Sequence, residues 1–309
     1  METRTEHRIS SVGSSLSTSP DTSLGASLGA SLDTSLGASP DAAAAVALLR
    51  RNRFVALTGA GLSTDSGIPD YRGPNSPARM PMTYQEFVSG PAARQRYWAR
   101  SHIGWSRMKR AAPNPGHTAL ARLEQQGAMT MLVTQNVDGL HEQAGSGQLG
   151  AQMCALHGRI ADVTCLACGE RTGRDVLQGG LEALNPGFSR RHADAVVRPD
   201  GDVELVEASG FTVPGCDSCG GVLKPDVVFF GENVPKDRVQ RCYAAVAAAE
   251  ALVVAGSSLA VMSGLRFVRS AHKRGIPVVI VNRGATRGDD LATMKLDVGC
   301  SEFLTDLAR

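Results

Sequence analysis

The sequence predicts an α/β protein: a parallel sheet with helices on both faces, carrying a second, smaller lobe. Three observations predict it. Short apolar runs alternate with helix-length segments rich in Ala and Arg, a Gly-Ala-Gly turn directly follows the first run, and two pairs of cysteines stand far apart in the chain.

The chain has 309 residues, 42% hydrophobic and 20% charged, enough to bury a large core and a smaller one beside it. Lys and Arg number 32 against 30 Asp and Glu, a net charge of +2. That balance argues against a nucleic-acid or anionic-membrane surface, so neither partner is expected. No run approaches the ~20 apolar residues of a membrane span, and the first residues lack the apolar stretch of a secretory signal. With seven cysteines in a chain of this kind, metal binding or catalysis is expected over a disulfide framework, and the cytoplasm over an oxidising compartment. The oligomeric state has no signature in the sequence.

Residues 1–40 are near-tandem units of Ser, Leu, Gly, Ala and Thr, such as Ser23-Leu24-Gly25-Ala26 and Ser35-Leu36-Gly37-Ala38. A composition this poor in large apolar residues predicts a disordered tail. A mitochondrial transit peptide is the alternative, against which stand Glu2, Glu6, Asp21 and Asp33. Order begins at Pro40-Asp41, with Asp41 as the cap of a helix over residues 42–51. Strands are expected at 54–58, 131–133, 227–230, 251–255 and 277–281, and helices at 117–126, 236–250 and 264–274. Prolines crowd residues 70–115, and turn formers crowd 161–223. The expected large lobe is therefore about 41–70, 116–160 and 224–309, and the small lobe about 71–115 and 161–223.

The first strand runs into Gly59-Ala60-Gly61-Leu62-Ser63, where an α/β sheet presents backbone amides to phosphate. Position 64, where a dehydrogenase fingerprint carries a third glycine, is Thr64, and Pro69 and Pro74 forbid a long following helix. Elsewhere, Cys165-Leu-Ala-Cys168 and Cys216-Asp-Ser-Cys219 are two knuckles, each followed by glycine. Four thiolates on two tight turns suit tetrahedral zinc better than a redox pair, and a full Cys₄ shell leaves no position for water or substrate. This zinc is expected to be structural.

Read as a whole, Gly59-Ala60-Gly61-Leu62-Ser63-Thr64-Asp65-Ser66-Gly67-Ile68-Pro69-Asp70-Tyr71-Arg72 resembles the NAD-binding signature of sirtuins. The resemblance extends through Thr134-Gln135-Asn136-Val137-Asp138-Gly139-Leu140-His141, Leu156-His157-Gly158, the cysteine knuckles, Lys224-Pro225-Asp226-Val227-Val228-Phe229-Phe230-Gly231-Glu232 and Gly256-Ser257-Ser258-Leu259. It covers residues 41–309. Within the family, Arg94-Gln95-Arg96-Tyr97-Trp98-Ala99-Arg100 and Gly104-Trp105 look most like the second class, the branch with a mitochondrial lipoamidase and ADP-ribosyl-transferring member.

The resemblance implies a Rossmann-like parallel sheet for the large lobe and a zinc-binding small lobe, with NAD as co-substrate and acylated lysine of a protein as substrate. The acyl oxygen attacks the nicotinamide ribose, nicotinamide departs, and a histidine then takes a proton from the ribose; lysine and O-acyl-ADP-ribose result. His157 matches that base, and imidazole, with an ordinary pKa near ~6.5, is neutral where a base is needed. Ala155 departs from the family, whose members often carry Glu there. Asn136 and Asp138 are expected to orient ribose and carboxamide and, with His157, to form the catalytic set. Ile68 and Asp70 would hold the nicotinamide and Arg72 the phosphates, within a cofactor site that also takes in Gly59, Ala60, Gly61, Ser63, Tyr71 and Gln135. The adenosine half falls to Gly256, Ser257, Ser258, Asn282, Arg283, Gly284 and Cys300. Val227, Val228 and Phe230 would pair with the substrate backbone as an added strand. Tyr97 and Arg100, three residues apart on one helix face, resemble the pair with which the desuccinylating branch binds an acyl carboxylate; alternatively Tyr97 packs and Arg100 is solvated. Two other functions compete, protein mono-ADP-ribosyl transfer and NAD sensing without turnover.

Overall fold

The computed structural model describes residues 39–72, 81–148, 152–192 and 208–309. The expected tail and its transit-peptide alternative, like parts of both insertions, lie outside the described residues. The first helix, Pro40–Arg51, is capped by Ser39, whose hydroxyl accepts the Ala42 amide. Asp41 sits instead in the first turn, where it complements the helix dipole, as Arg50 and Arg51 do at the other end.

The strands are β1 Phe54–Thr58, β2 Met129–Thr134, β3 Gln152–Ala155, β4 Gly158–Cys165, β5 Arg171–Gly173, β6 Leu223–Val227, β7 Ala251–Ala255, β8 Val278–Val281 and β9 Met294–Leu296. Six form one sheet in the order β3-β2-β1-β7-β8-β9, every pair parallel. The chain winds outward from β1 to β3, leaves the sheet, and returns at β7 on the other side of β1. The strand order thus reverses at β1 and β7, which opens a crevice at their C-terminal ends.

Successive residues of β1 face opposite cores, and both cores are dry. Phe54 and Ala56 pack with Leu49, Leu120 and Phe303 from helices Pro40–Arg51, Pro115–Gln125 and Cys300–Leu307. Val55 and Leu57 pack with Val246, Leu265 and Val268 from helices Lys236–Ala248 and Met262–Lys273. Helix Pro115–Gln125 begins two residues earlier than expected because Asn114 caps it through the Gly116 and His117 amides, with proline in its first turn.

The run at 227–230 is not a strand of the large sheet. Pairing stops at Val227 in β6, which joins β4 and β5 in a three-stranded antiparallel sheet. Beyond it the Phe229 amide donates to the Glu232 carboxylate at 2.9 Å and Gly231 adopts φ +78°, so the chain turns away. The boundaries expected near 160 and 224 accordingly fall inside β4 and β6, which carry the chain into and out of the small sheet. A core of Phe87, Trp98, Leu181, Phe188, Phe211 and Leu223 packs around that sheet, to which the 20-residue helix Pro91–Arg110 adds Tyr97, Ala99 and Ile103 beside Trp98. The buried Arg174 guanidinium lies 5.3 Å from the ring centroids of both Trp98 and Trp105. Among the described residues no helix is long and apolar enough to cross a membrane.

Candidate functional site

A cleft of about 780 Å³ opens at the C-terminal ends of β1 and β7 and reaches the residues after β6. Its floor is the glycine loop. Residues 60–66 coil into a short 3₁₀ helix, in keeping with the prolines downstream. The Gly59 and Gly61 amides, offered by the sequence to phosphate, donate instead to the carbonyls of Ala255 and Gly256, at 3.0 and 2.8 Å. A β-carbon on Gly59 would lie 2.7 Å from the Gly256 carbonyl oxygen, and one on Gly256, at φ +66°, would overlap the Leu62 amide. These glycines let two loops close on each other at the point where the sheet reverses.

The polar residues after β2 lock onto that floor. The Asn136 amide donates to the Gly59 carbonyl and to Ser63 Oγ, both at 3.0 Å. Ser63 Oγ in turn donates to Asp138 Oδ2 at 2.7 Å, while Asp138 Oδ1 accepts the Leu140 amide at 3.0 Å. Gln135 Nε2 donates to Ser257 Oγ at 2.8 Å. Ile68, Asp70, Tyr71 and Arg72 line the cleft, with Tyr71 edge-on to Phe230 at 6.1 Å between ring centroids.

His157 also lines the cleft. Its Nδ1 is 2.9 Å from the Gln135 carbonyl oxygen, and its Nε2 is 2.8 Å from Ser263 Oγ. A carbonyl only accepts, so Nδ1 carries the proton and Nε2 presents its lone pair to the Ser263 hydroxyl. Burial lowers the pKa of this half-buried ring to about 4; the Gln135 carbonyl opposes that shift and the Arg238 charge adds to it. The imidazole is therefore neutral at physiological pH, with its tautomer fixed and its Nε2 lone pair held by the Ser263 hydroxyl in the cleft wall.

Ala60, Gly61, Ser258, Asn282, Arg283, Gly284, Val227, Val228, Phe230 and Tyr97 line the same cleft, as expected. Two expected residues do not. Cys300 is buried in the core on one face of the sheet, with its thiol 3.5 Å from the Val281 carbonyl and its pKa pushed up to about 12 chiefly by burial. It starts the last helix rather than ending a strand, so its side chain turns inward. Arg100 is half-buried and outside the cleft lining, whereas Tyr97 packs edge-on against Phe87 and Phe229, each at 5.3 or 5.2 Å. One helix face holds both, but of the pair only Tyr97 is among the described residues that line the cleft.

Sequence reasoning missed Ser263 and the pairing of Lys224 with Glu232. Lys224 is 6% exposed; its Nζ lies 3.0 Å from Glu232 Oε2, donates to the Val227 carbonyl at 2.5 Å, and sits 4.9 Å from the Phe229 ring centroid. Burial lowers its pKa and Glu232 opposes the shift. The two charges bracket the apolar run 227–230, a signal that was legible. Ser263 gave none, since nothing local in the sequence connects it to His157.

The four cysteines of the knuckles converge. Cys165, Cys168, Cys216 and Cys219 have all sulfurs within 4.8 Å of one another, with Cys165–Cys219 at 3.6 Å and Cys168–Cys216 at 3.8 Å. A zinc–sulfur length of ~2.3 Å places tetrahedral sulfurs roughly 3.8 Å apart, so the cluster fits zinc. Gly169 and Gly220, at φ +75° and +69°, close the two turns by donating their amides to the Cys165 and Cys216 carbonyls. The metal would hold β4 to the segment before β6 and lies outside the cleft lining.

The sequence pattern of the Sir2 family matches residues 59–263. A protein named NAD-dependent protein deacetylase 1 from Mycobacterium avium (strain 104) is 54% identical over 267 residues, 85% of this chain and 93% of its own. One of the same name from Streptomyces coelicolor is 50% identical over 272 residues, 87% and 89% of the two chains. Among solved structures, one described as Sir2 with a p53 peptide and NAD+ is 32% identical with a TM-score of 0.67, covering 85% of this chain and 95% of its own. Another, described as Sir2Tm bound to a propionylated peptide, is 30% identical with a TM-score of 0.65, covering 85% and 95%.

Proposed function

The chain belongs to the Sir2 family, and on that premise we propose that its cleft removes acyl groups from protein lysine side chains at the expense of NAD. The observation that carries the reading is His157: a neutral imidazole, tautomer fixed by the Gln135 carbonyl, whose unprotonated nitrogen meets only the Ser263 hydroxyl in a cleft large enough for a dinucleotide and a lysine side chain. NAD supplies a ribose carbon that becomes electrophilic as nicotinamide leaves. The chain's own residues bind, orient and take up a proton. Ser63, Asn136 and Asp138 form one hydrogen-bonded unit at the glycine loop and would orient the ribose and carboxamide, while Ser257, Asn282 and Arg283 would hold the adenosine half. His157 Nε2 would accept the ribose hydroxyl proton once Ser263 gives way. The zinc tetrad is structural.

The Val228 carbonyl and the Phe230 amide would hydrogen-bond the peptide as an added strand, the Val228 amide and the Phe230 carbonyl being held by His157 and Tyr84. The neighbouring lining, Tyr97, Met82, Ile160 and Phe229, is apolar, which favours acetyl or longer apolar acyl groups over carboxylated ones. The Arg94–Arg100 segment supports placement in the second class of the family. We also place the protein in the cytoplasm, where its thiolates stay reduced. Incubation with labelled NAD and acylated peptides tests the reading: O-acyl-ADP-ribose supports it, labelled protein indicates ADP-ribosyl transfer, and unchanged NAD indicates a sensor.

A further inference from the structure

Two cysteines outside the zinc tetrad, Cys154 on β3 and Cys242 on helix Lys236–Ala248, meet across the interface between sheet and helix. They are 1% and 0% exposed, pack in one core, and lie near enough for each thiol to shift the other's pKa. Their surroundings differ. Cys154 forms part of the wall of a second cavity, about 180 Å³, lined by Arg238 and Arg241 and also by Asp162 and Asp226, the latter 3.8 Å from Arg238, whereas Cys242 does not reach it. That volume admits small polar solutes. Both guanidiniums belong to the helix that carries Cys242, so the same short segment delivers positive charge to one thiol and the second thiol beside it. The neighbouring Cys242 thiol and, more weakly, the charges of Arg241 and Arg238 lower the Cys154 pKa against its burial and the Asp237 charge; the Cys242 pKa is raised.

We propose that Cys154 and Cys242 are a peroxide-responsive dithiol: a hydroperoxide entering the arginine-lined cavity oxidises Cys154, and Cys242 closes a disulfide that ties β3 to the helix and displaces His157. In the first step the Cys154 sulfur bonds to the terminal peroxide oxygen, the O–O bond breaks, and the alcohol leaves with the thiol's proton. Cys154 is then a sulfenic acid. In the second, the Cys242 sulfur attacks that sulfur, the S–O bond breaks, and the hydroxyl leaves as water with the Cys242 proton. Two thiols lose two electrons, and one hydroperoxide is reduced to alcohol and water.

The site connects to the base over three residues. Cys154 pairs with Val133 in the sheet, the Leu156 amide donates to the Thr134 carbonyl at 2.8 Å, and the His157 carbonyl accepts the Val228 amide at 2.8 Å. A pull on β3 therefore reaches both the imidazole and the residues after β6. The effect on activity rests on the deacylase reading; the thiol chemistry does not.

The test treats the full-length, zinc-loaded protein with hydrogen peroxide and maps its thiols by non-reducing peptide mass spectrometry, while zinc content and NAD-dependent deacetylation of a peptide are followed in parallel. A peptide linked through Cys154 and Cys242 is expected while zinc is retained, with a several-fold fall in deacetylation that dithiothreitol reverses. Cys242→Ser should stop at a Cys154 sulfenic acid trapped by dimedone, and Cys154→Ser should keep its activity. Disulfides confined to the zinc knuckles, with Cys154 and Cys242 still alkylatable in the wild type, would overturn the pair whether or not the variants fold. A linked peptide with undiminished turnover would overturn the coupling to His157. Untreated protein that fails to deacetylate would count against the deacylase reading alone, and the thiol map would still decide the pair.

Discussion

Replacing Glu232 by Gln should destabilise the turn after β6, and the size of the effect follows from what the carboxylate holds. It accepts the Phe229 amide at 2.9 Å and pairs with the buried Lys224 ammonium at 3.0 Å. Glutamine keeps an oxygen for the amide, so that bond loses only its charge assistance, about 1 kcal/mol. The larger loss is the counter-charge of Lys224. Removing one partner of a buried pair costs about 3–5 kcal/mol. Here the ammonium keeps the Val227 carbonyl and the Phe229 ring, and Glu232 retains some exposure, which reduces the whole effect to about 2–4 kcal/mol. Lys224→Met should cost a similar amount by stranding the carboxylate. The double variant should cost clearly less than the two singles together, because its apolar replacement leaves no unpaired charge. Urea unfolding of the four proteins measures the cycle, and peptide KM should rise more than kcat falls, since Val228 to Glu232 line the cleft. Additive effects, each below about 1 kcal/mol, would refute the claim that this pair positions the turn.

Four further outcomes are expected. His157→Ala should lower deacylation by about 10²–10⁴-fold with NAD affinity retained, measured by steady-state kinetics and calorimetry; near-normal turnover would remove the base from the reaction. Burial is the leading cause of lowered pKa values at His102, His117, His141 and His157. Unfolded histidines protonate near ~6.5 while these resist, so stability is full above that pH and falls as pH drops towards about 4 for His157; urea midpoints at pH 7.5 and 5.5 should show the fall, and an unchanged midpoint would contradict it. Cys165→Ser or Cys219→Ser should lose zinc and melt the small lobe, because the metal's binding energy is coupled to folding there; stoichiometric zinc in either variant argues against the tetrad. Gly256→Ala places a β-carbon on the Leu62 amide in a left-handed conformation, and should cost about 1–3 kcal/mol and raise the KM for NAD; a neutral result would show that the two loops yield.

The parts of the molecule legible in the sequence are those where neighbouring residues carry the whole signal. β1, β7 and β8 are apolar on both faces because helices cover both, so five or four consecutive buried residues announce them. The zinc knuckles are equally local. β3 was not legible: Gln152-Met153-Cys154-Ala155 is a short edge strand with an exposed end, and its strand character comes from pairing with β2. The run at 227–230 misled for the opposite reason, being apolar because it lines a cleft rather than because it lies in a sheet. Cys300 and Arg100 show the same limit at single positions. Sequence fixes the helix that carries a side chain, whereas the packing of that helix decides whether the side chain points to core, cleft or solvent. His157 was legible as a residue, but its tautomer and neutrality depend on Gln135, Ser263 and Arg238, which are distant in the chain.

At Gly158 the strands β4 and β6 cross so closely that a β-carbon would overlap the Asp226 carbonyl. His157 stands at the start of one strand and Val228 at the end of the other, joined by a hydrogen bond of 2.8 Å. Base and peptide edge are thereby fastened to a single rivet. The same rivet is driven into the large sheet as well, through the Leu156 amide on Thr134 and the imidazole on Gln135. Peptide edge, base and glycine loop are therefore gauged from one point, so a shift at Gly158 would misalign all three together.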